Sequence, residues 1–240
     1  MLANFQRGER IGSGTFGDVY KAKWGDRLVA EKVLHEHLFK SHDRDRHVAK
    51  FEAECKILAG LQHKNVVELL EFGIFHSQPP VLITELLDRD LGKYISSLNP
   101  EKIPFREAVS IMSDVAEGLD YIHDRNPPIV HRDLACKNIL LTKEKQAKIA
   151  DLGLAKVFPH RGRTHASPQP LGTLVYAAPE TFSLEGRGYG YDPPVEYDVK
   201  IDIFSFGVVL MEVINGSPPV VDPEWPITEG LYSWNLLELS

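Results

Sequence analysis

The spacing of apolar positions changes about a third of the way along this 240-residue chain. Before residue 90, short runs of β-branched and apolar residues lie between turn residues, as at 28–34 and 81–87, and they predict strands. One helix interrupts them, because four residues fall at i, i+3, i+4 and i+7 on one helical face: Phe51, Glu54, Cys55 and Leu58.

Beyond residue 90 the helical spacing dominates. Residues 105–124 predict a long amphipathic helix, and residues 203–214, apolar nearly all round, predict a helix buried at the centre of a lobe. Short apolar runs at 139–141 and 148–150 predict strands. A strand-rich part joined to a helix-rich part predicts an α+β fold of two lobes with a cleft between them.

Composition narrows the functional classes. The chain is 43% hydrophobic and 25% charged, as in soluble globular proteins, and its net charge of −7 argues against a nucleic-acid-binding surface. The most basic stretch, 40–50, is interrupted by Asp43 and Asp45 and is interpreted as a solvated connecting segment.

Cysteine usage and hydropathy bear on location. Two cysteines, Cys55 and Cys136, are too few for a disulfide framework and fit a reducing compartment. No apolar stretch is long enough to span a bilayer. We therefore expect no membrane contact from this segment and a cytoplasmic location, either alone or as the intracellular part of a larger protein.

A glycine-rich motif, G-x-G-x-x-G, begins at Gly12. Taken alone it is a weak signal, because dinucleotide-binding folds share the spacing. In those folds the motif opens a helix directly, whereas a strand-like run at 19–24 follows here. This order favours a flap between two strands, whose backbone N–H groups approach the phosphates of a nucleotide.

The next run of the chain contains a lysine that is a candidate for phosphate binding. Strand alternation places Ala30 and Lys32 on one face, the first beside an adenine ring and the second beside phosphates. A lysine in an apolar cleft needs a partner, and Glu54 on the predicted helix is the candidate.

The strongest signal is the run HRDLACKN at 131–138, followed by Asp151, Leu152 and Gly153. Mg²⁺ prefers hard oxygen ligands, so Asn138 and Asp151 could hold the metal on a triphosphate. Asp133 could orient an attacking hydroxyl and accept its proton. Any single Asp can be a turn or capping residue, but that interpretation does not explain the whole spaced set.

With these residues in order, the chain resembles the eukaryotic protein kinases from about residue 5 to residue 216. The matching positions are the glycine loop, Lys32, Glu54, His131-Arg132-Asp133, Asn138, Asp151-Leu152-Gly153 and Ala178-Pro179-Glu180. The resemblance implies a bilobal kinase domain over residues 5–240, with a β-rich N-lobe at 5–87 and a helical, partial C-lobe at 88–240. It also implies ATP and Mg²⁺ as cofactors and a protein as substrate.

The resemblance assigns roles residue by residue. Lys32 would bind the α- and β-phosphates and pair with Glu54, Asp133 would be the catalytic base, and Lys137 is counted with the catalytic residues. Asn138 and Asp151 would bind Mg²⁺. The implied nucleotide-binding residues are Ile11, Gly12, Ser13, Gly14, Thr15, Phe16, Gly17, Val19, Ala30, Lys32, Thr84 as gatekeeper, Glu85 and Leu87 in the hinge, and Leu140. Four further residues would stack into the spine of an active kinase: Leu58, Leu69, His131 and Leu152.

The sequence gives mixed signals on whether the phosphate acceptor is a serine/threonine or a tyrosine hydroxyl. Ala135 and Lys137 give the catalytic loop a resemblance to the tyrosine or tyrosine-kinase-like groups, whereas residues 172–176 follow the serine/threonine pattern. In that pattern Thr173 could hydrogen-bond Asp133. We favour serine/threonine specificity, with a tyrosine-specific or dual-specificity kinase as the alternative. Arg132 beside the base implies control by phosphorylation of the following loop, where Thr164 and Ser167 are candidates.

Three departures from the family pattern are visible. Glu31 replaces an aliphatic residue but should point away from the nucleotide, and the glycine- and proline-rich stretch between Glu180 and Asp202 is interpreted as an inserted surface loop. After Gly216 we expect the C-terminal helices of the family to be missing, so that a buried Glu180 lacks its arginine and stability suffers. A pseudokinase acting as a scaffold is therefore the alternative from another functional class.

Overall fold

The computed structural model describes residues 4–14, 16–157, 173–181 and 198–219, and the backbone alone of residues 164–166 and 195–197. Its strands are β1 (Phe5–Ser13), β2 (Gly17–Trp24), β3 (Arg27–Leu34), β4 (Leu69–Gly73), β5 (Val81–Glu85), β6 (Arg89–Asp90), β7 (Ile129–Val130), β8 (Ile139–Leu141), β9 (Ala147–Ile149), β10 (Lys156–Val157), β11 (Thr164–Ala166) and β12 (Val195–Tyr197). Its α-helices are α1 (Glu36–Phe39), α2 (Arg44–Ala59), α3 (Leu91–Leu98), α4 (Phe105–His123) and α5 (Lys200–Asn215). Short 3₁₀ turns lie at Cys136–Asn138, Leu152–Leu154, Leu174–Tyr176 and Pro179–Thr181.

The first lobe is a five-stranded antiparallel sheet in the order β1-β2-β3-β5-β4, with α2 packed against it. The predicted helical face is buried, since Phe51, Cys55 and Leu58 join the core beside Leu34 of β3 and Leu82 of β5. The predicted α+β architecture with a strand-rich first lobe is confirmed.

The basic stretch at 40–50 differs from its interpretation as a connecting segment. Residues 44–50 form the first two turns of α2. Asp45 lies in the first turn, where a carboxylate is favourable to the helix dipole, and the arginines of this stretch remain at the surface.

The second lobe is built on α4 and α5, with the hairpin β8–β9 on its upper side. One continuous apolar core runs from beneath the sheet into this lobe and includes Ile111 and Val115 of α4, Ile139 of β8 and Val209 of α5. The two-lobe boundary at residue 87 stays a prediction.

The helix α5 is less enclosed than its sequence predicts. One face is buried, including Val208, Val209 and Val213, but Ile203 and Ile214 are 54% and 50% exposed on the other side. The reason is that the described elements pack against only one side of this helix. No helix in the described part of the chain combines the length and apolarity that crossing a bilayer requires.

Backbone hydrogen bonds join the β8–β9 hairpin to the chain just before β4 and just after β5. The backbone N–H of Val67 donates to the carbonyl of Ile149 at 2.9 Å, and Ile149 donates to the carbonyl of Asn65 at 2.9 Å. On the other side, the N–H of Asp88 donates to the carbonyl of Leu141, also at 2.9 Å. These contacts set the relative position of the sheet and the hairpin, and hence the geometry of the cleft.

Candidate active site

One face of the five-stranded sheet carries the upper wall of the cleft. In the register of β3, Lys32 lies opposite Val19 of β2, and Ala30 lies opposite Thr84 of β5. Directly paired residues share a face, as do residues two apart on one strand, so these four side chains project to the same side. Each of the four is partly exposed, as expected of residues that line a cleft.

The amine of Lys32, on β3, bonds to residues of two other parts of the fold. Its Nζ donates to Glu54 Oε1 and Oε2 at 2.8 and 3.0 Å, and to Asp151 Oδ1 at 2.8 Å. Glu54 comes from α2, and Asp151 follows β9 in the second lobe. The structure therefore brings together across the cleft three residues that are distant in sequence.

Burial and mutual attraction set the protonation of this cluster. Burial alone would lower the pKa of Lys32, but the carboxylates of Glu54 and Asp151 raise it above its usual value. Burial raises the pKa of Glu54, against the opposing effect of Lys32. Burial would also raise the pKa of Asp151, but the ammonium of Lys32 overcomes it and lowers that pKa. Lys32 is thus held as a cation, and Asp151 as an anion.

Asp151 sits on a left-handed backbone turn, with φ of 58°, and its side chain is 47% exposed. The turn leaves little space around it: a Cβ on Gly153 would lie 3.2 Å from both Asp151 Oδ1 and Glu54 Oε2. The missing side chain at Gly153 therefore allows the acidic group to face the cleft while it contacts Lys32.

The candidate base Asp133 is surrounded by donors. Its Oδ1 accepts from the backbone N–H and the hydroxyl of Thr173 at 2.7 and 2.9 Å. Its Oδ2 accepts from Asn138 Nδ2 at 3.0 Å and lies 3.6 Å from Lys137 Nζ. The carboxylate orientation is therefore determined by Thr173 on one oxygen and by Asn138 on the other.

The residues that would hold Mg²⁺ fit that ion by their chemistry. Asn138 Nδ2 is already committed to Asp133, so its amide oxygen is the atom that remains for a cation, and Asp151 supplies a carboxylate. Both are hard oxygen donors of the kind Mg²⁺ selects. Within the described residues, no group of three or more His, Cys, Asp or Glu could hold a metal, so such an ion would need further ligands, such as phosphate oxygens.

The catalytic loop is anchored by a residue whose role the sequence pattern did not reveal. Asp202, fully buried at the start of α5, accepts from the backbone N–H groups of His131 and Arg132 at 2.8 and 2.9 Å. Its Oδ2 also lies 2.8 Å from His123 Nε2. Arg132 has φ of 66°, so the carboxylate of Asp202 stabilises a strained backbone at the residue directly before Asp133. The available signal was an acidic residue in the first turn of a mostly apolar helix.

The glycine-rich loop closes over the end of the sheet. The N–H of Gly14 donates to the carbonyl of Gly17 at 2.9 Å, and a Cβ on Gly17 would lie 2.3 Å from the carbonyl oxygen of Val33. Gly12 is partly buried, Ile11, Ser13 and Gly14 are exposed, and Phe16 packs partly against the core. Thr15 lies outside the described residues.

Comparison with known proteins agrees with this geometry. A family model described as "Protein kinase domain" matches residues 5–229. The chain belongs to the protein kinase family. It is 35% identical over 89% of its length to the "Probable serine/threonine-protein kinase PBL22" of Arabidopsis thaliana, covering 53% of that protein. It is also 32% identical over 88% of its length to a "Probable serine/threonine-protein kinase" of Dictyostelium discoideum, covering 19% of it. The chain thus spans about half or less of the length of these curated relatives.

Glu85, one of the two residues expected to form the hinge, takes part in an ion pair that the sequence interpretation missed. Glu85 Oε1 accepts from Lys148 Nζ of β9 at 2.7 Å and from the backbone N–H of Glu68 at 2.9 Å. The hydroxyl of Thr84 donates to the carbonyl of Glu85 at 3.2 Å. Leu87 and Leu140 are partly buried against the core below.

The four spine candidates of the kinase domain lie in its interior. Leu58, His131 and Leu152 are buried, and Leu69 packs partly buried against the same core. Because His131 Nδ1 accepts from the N–H of Asp133 at 3.2 Å, its proton lies on Nε2, which donates to the carbonyl of Ala150 at 3.0 Å. His131 therefore connects the base to the segment that carries Asp151.

The loop beyond Asp151 gives one correction. Glu180 is exposed, so the expected cost of a buried carboxylate without its arginine does not arise here. Of the two phosphorylation candidates, Ser167 lies outside the described residues, and Thr164 is described only by its backbone, in β11 opposite Tyr197 of β12. The stretch interpreted as an inserted loop lies largely outside the described residues, at 182–194.

Proposed function

We propose that this domain transfers the γ-phosphoryl group of Mg·ATP to a serine or threonine hydroxyl of a protein. The observation that carries the proposal is the pairing of two sets of groups across one cleft. A cation held by two carboxylates, Lys32 with Glu54 and Asp151, lies on one side, and an oriented carboxylate, Asp133, lies on the other.

Each residue has a task that follows from its surroundings. Lys32 supplies a fixed positive charge for phosphate oxygens, and Glu54 keeps that charge in place at 2.8 Å. Asp133 accepts a hydrogen bond from the acceptor hydroxyl and then takes its proton. Lys137, with its amine 3.6 Å from Asp133, adds positive charge beside the base.

Asn138 and Asp151 would hold the metal. Magnesium, when bound, neutralises the charge that develops on the phosphate oxygens during transfer. Val19, Ala30 and Leu140 would contact the adenine ring, and the backbone at Glu85 and Leu87 would hydrogen-bond its edge. The remaining glycine-loop residues, Ile11 to Phe16 and Gly17, would cover the phosphates.

Two observations support serine/threonine specificity. The hydroxyl of Thr173, in the segment that follows the serine/threonine pattern, donates to Asp133 Oδ1 at 2.9 Å, the carboxylate that would also accept from the substrate hydroxyl. The two relatives quoted above are both named as serine/threonine kinases. We further propose a cytoplasmic location, because another relative is named "Calmodulin-binding receptor-like cytoplasmic kinase 2".

A labelled-ATP assay on the purified chain tests this function. Protein and peptide substrates that differ only in Ser, Thr or Tyr at the acceptor position separate the specificities. We expect incorporation on Ser and Thr that requires Mg²⁺, and a loss of 10²-fold or more in Asp133→Asn. The matched control is Asp90→Asn, which changes the same group at the N-cap of α3, where it accepts from the N–H of Lys93.

Binding of Mg·ATP without turnover would support the pseudokinase scaffold and contradict the proposal. A preference for Tyr would contradict its specificity alone. Ligand binding is followed independently by the melting temperature, since a ligand at a hundredfold excess over its Kd stabilises the native state by about 2.7 kcal/mol.

A further inference from the structure

His35 lies where β3 ends and α1 begins, next to the glycine-rich loop. Its backbone N–H donates to the carbonyl of Phe16 at 3.0 Å, and its own carbonyl accepts from Leu38 and Phe39 at 3.0 Å each. The backbone is therefore fixed on one side to the loop and on the other to the first turn of α1. These three bonds determine where the imidazole ring can reach.

The ring contacts the tip of the loop. Its Nε2 lies 2.9 Å from the carbonyl oxygen of Gly14, and because a carbonyl only accepts, Nε2 carries the proton of this bond. Its Nδ1 lies 3.7 Å from Oδ2 of Asp18, whose other oxygen accepts from Arg10 Nη1 at 3.2 Å. The ring of His37 stacks on that of His35, with centroids 5.2 Å apart.

The tip of this loop lies beyond the last paired residues of β1 and β2, Ser13 and Asp18. Glycines carry no side chain to pack and lose more conformational freedom on ordering than other residues. Two side chains of this loop region have described anchors: the ring of Phe16, partly buried and 5.7 Å from Lys50 Nζ, and Asp18. Gly14, at the exposed tip, has only backbone groups to offer, and His35 binds its carbonyl.

We propose that His35 is a positioning residue for nucleotide binding, which holds the carbonyl of Gly14 and fixes the tip of the glycine-rich loop over the phosphates. The consequence for ATP rests on the proposed kinase function. The hold on the loop does not, because its contacts are all made between residues of the chain itself.

Hydrogen–deuterium exchange of peptides covering residues 10–20, measured without nucleotide, tests the hold directly. His35→Ala should speed exchange of the loop amides about three- to tenfold, the effect of losing one hydrogen bond of ordinary net strength. His35→Gln should restore slow exchange, because its amide nitrogen can donate from a similar distance. His42→Ala is the matched control, since His42 is exposed in the same connection between β3 and α2. Equal exchange in wild type and His35→Ala would overturn the hold.

Steady-state kinetics test whether the bond from His35 to Gly14 affects ATP binding. We expect His35→Ala to raise the KM for ATP about three- to tenfold with kcat within twofold, and His35→Gln to recover most of it, because the bond positions the loop and takes no part in proton transfer. Unchanged KM beside faster exchange, or a loss of kcat that Gln does not repair, would overturn the role in nucleotide binding. A wild-type chain without turnover would contradict the kinase function, while the exchange measurement still decides whether His35 holds the loop.

Discussion

The charged groups on the two sides of the cleft are held in different ways. Lys32 depends on carboxylates from separate parts of the molecule, Glu54 on the helix α2 and Asp151 below the cleft. Asp133 is held from within the second lobe, and its loop is anchored by the buried carboxylate of Asp202. One arrangement spans separate elements, and the other is built into a single lobe.

The contacts of Lys32 have to be assembled from separate elements, whereas those of Asp133 are already formed within one lobe. A shift of α2 against β3 would break the contact at Lys32 while leaving the base and its hydrogen bonds untouched. The proposed base, Asp133, is already oriented by its hydrogen bonds, so on our proposal it would need little rearrangement during the reaction. We therefore expect regulation to act on the Lys32 side, and stability to depend on the Asp133 side.

The largest expected effect is on the anchor of the base. Asp202→Ala leaves the N–H groups of His131 and Arg132 buried without their acceptor, so the free energy of unfolding should fall by about 3 kcal/mol or more. Urea denaturation measures it. Asp202→Asn keeps one oxygen and should lose less. A loss below about 1 kcal/mol in the alanine variant would show that the second lobe does not depend on this anchor.

Lys32→Met should abolish turnover and also change how stability depends on pH. In the wild type, the lowered pKa of Asp151 adds stability above its ordinary pKa of 3.8, which is lost as pH falls. In the variant, no ammonium opposes the burial that raises the pKa of Glu54. A raised carboxyl pKa has the opposite effect on stability: the protein is more stable at low pH, where Glu54 is protonated, and loses stability as the pH rises.

Breaking this pair should lower the free energy of unfolding by about 3 kcal/mol near pH 7 and by less near pH 5. Unfolding curves recorded at both pH values measure the two losses. The control is Lys32→Met combined with Glu54→Gln, which removes the titrating carboxylate and should flatten the difference. A variant whose stability does not depend on pH would contradict the assignment of Glu54 as the partner.

Thr173→Ala tests the hydroxyl that contacts the base. The backbone N–H of Thr173 still donates to Asp133, so the carboxylate keeps part of its orientation. We expect kcat to fall about tenfold, or about 1.4 kcal/mol in the activation free energy, with the unfolding free energy unchanged. Thr173→Ser retains the hydroxyl and should remain near wild type. Equal kcat in the alanine and serine variants would remove Thr173 from the catalytic arrangement.

The smallest effect is expected on the opposite face of β3. Glu31, the residue before Lys32, is buried on the face of β3 that points away from the cleft. Its carboxylate accepts from Arg7 Nε and Nη2 at 2.6 and 2.7 Å. Arg7→Ala should cost about 1–2 kcal/mol of stability and leave kcat unchanged. Replacing both with apolar residues, Arg7→Met with Glu31→Leu, should recover most of the loss. A fall in kcat would show that the two faces of the strand are coupled.

Local periodicity predicted the elements that carry most of this site. Strand alternation placed Ala30 and Lys32 on one face, and helical spacing placed Glu54 on the buried face of α2. The start of α2 was missed because residues 44–50 are charged, and helix α3 was missed although its N-cap Asp90 accepts from the N–H of Lys93 at 2.8 Å.

Contacts that depend on tertiary packing were harder to predict. Asp202 reaches backbone groups seventy or more residues away, and no pattern in either segment specifies that pairing. The bond from His35 to Gly14 likewise depends on how a turn closes over a strand end. Spacing along the chain identifies faces of elements, whereas the partners of a buried carboxylate are decided by how the elements meet.

The two contacts at the β8–β9 hairpin determine how the cleft can open. The chain is bonded to this hairpin just before β4, at Val67, and just after β5, at Asp88, by hydrogen bonds to Ile149 and Leu141. A movement of the sheet that kept both bonds would have to pivot close to this hairpin. In such a movement the glycine-rich loop between β1 and β2, at the opposite edge of the sheet from β5, would shift more than Thr84 of β5.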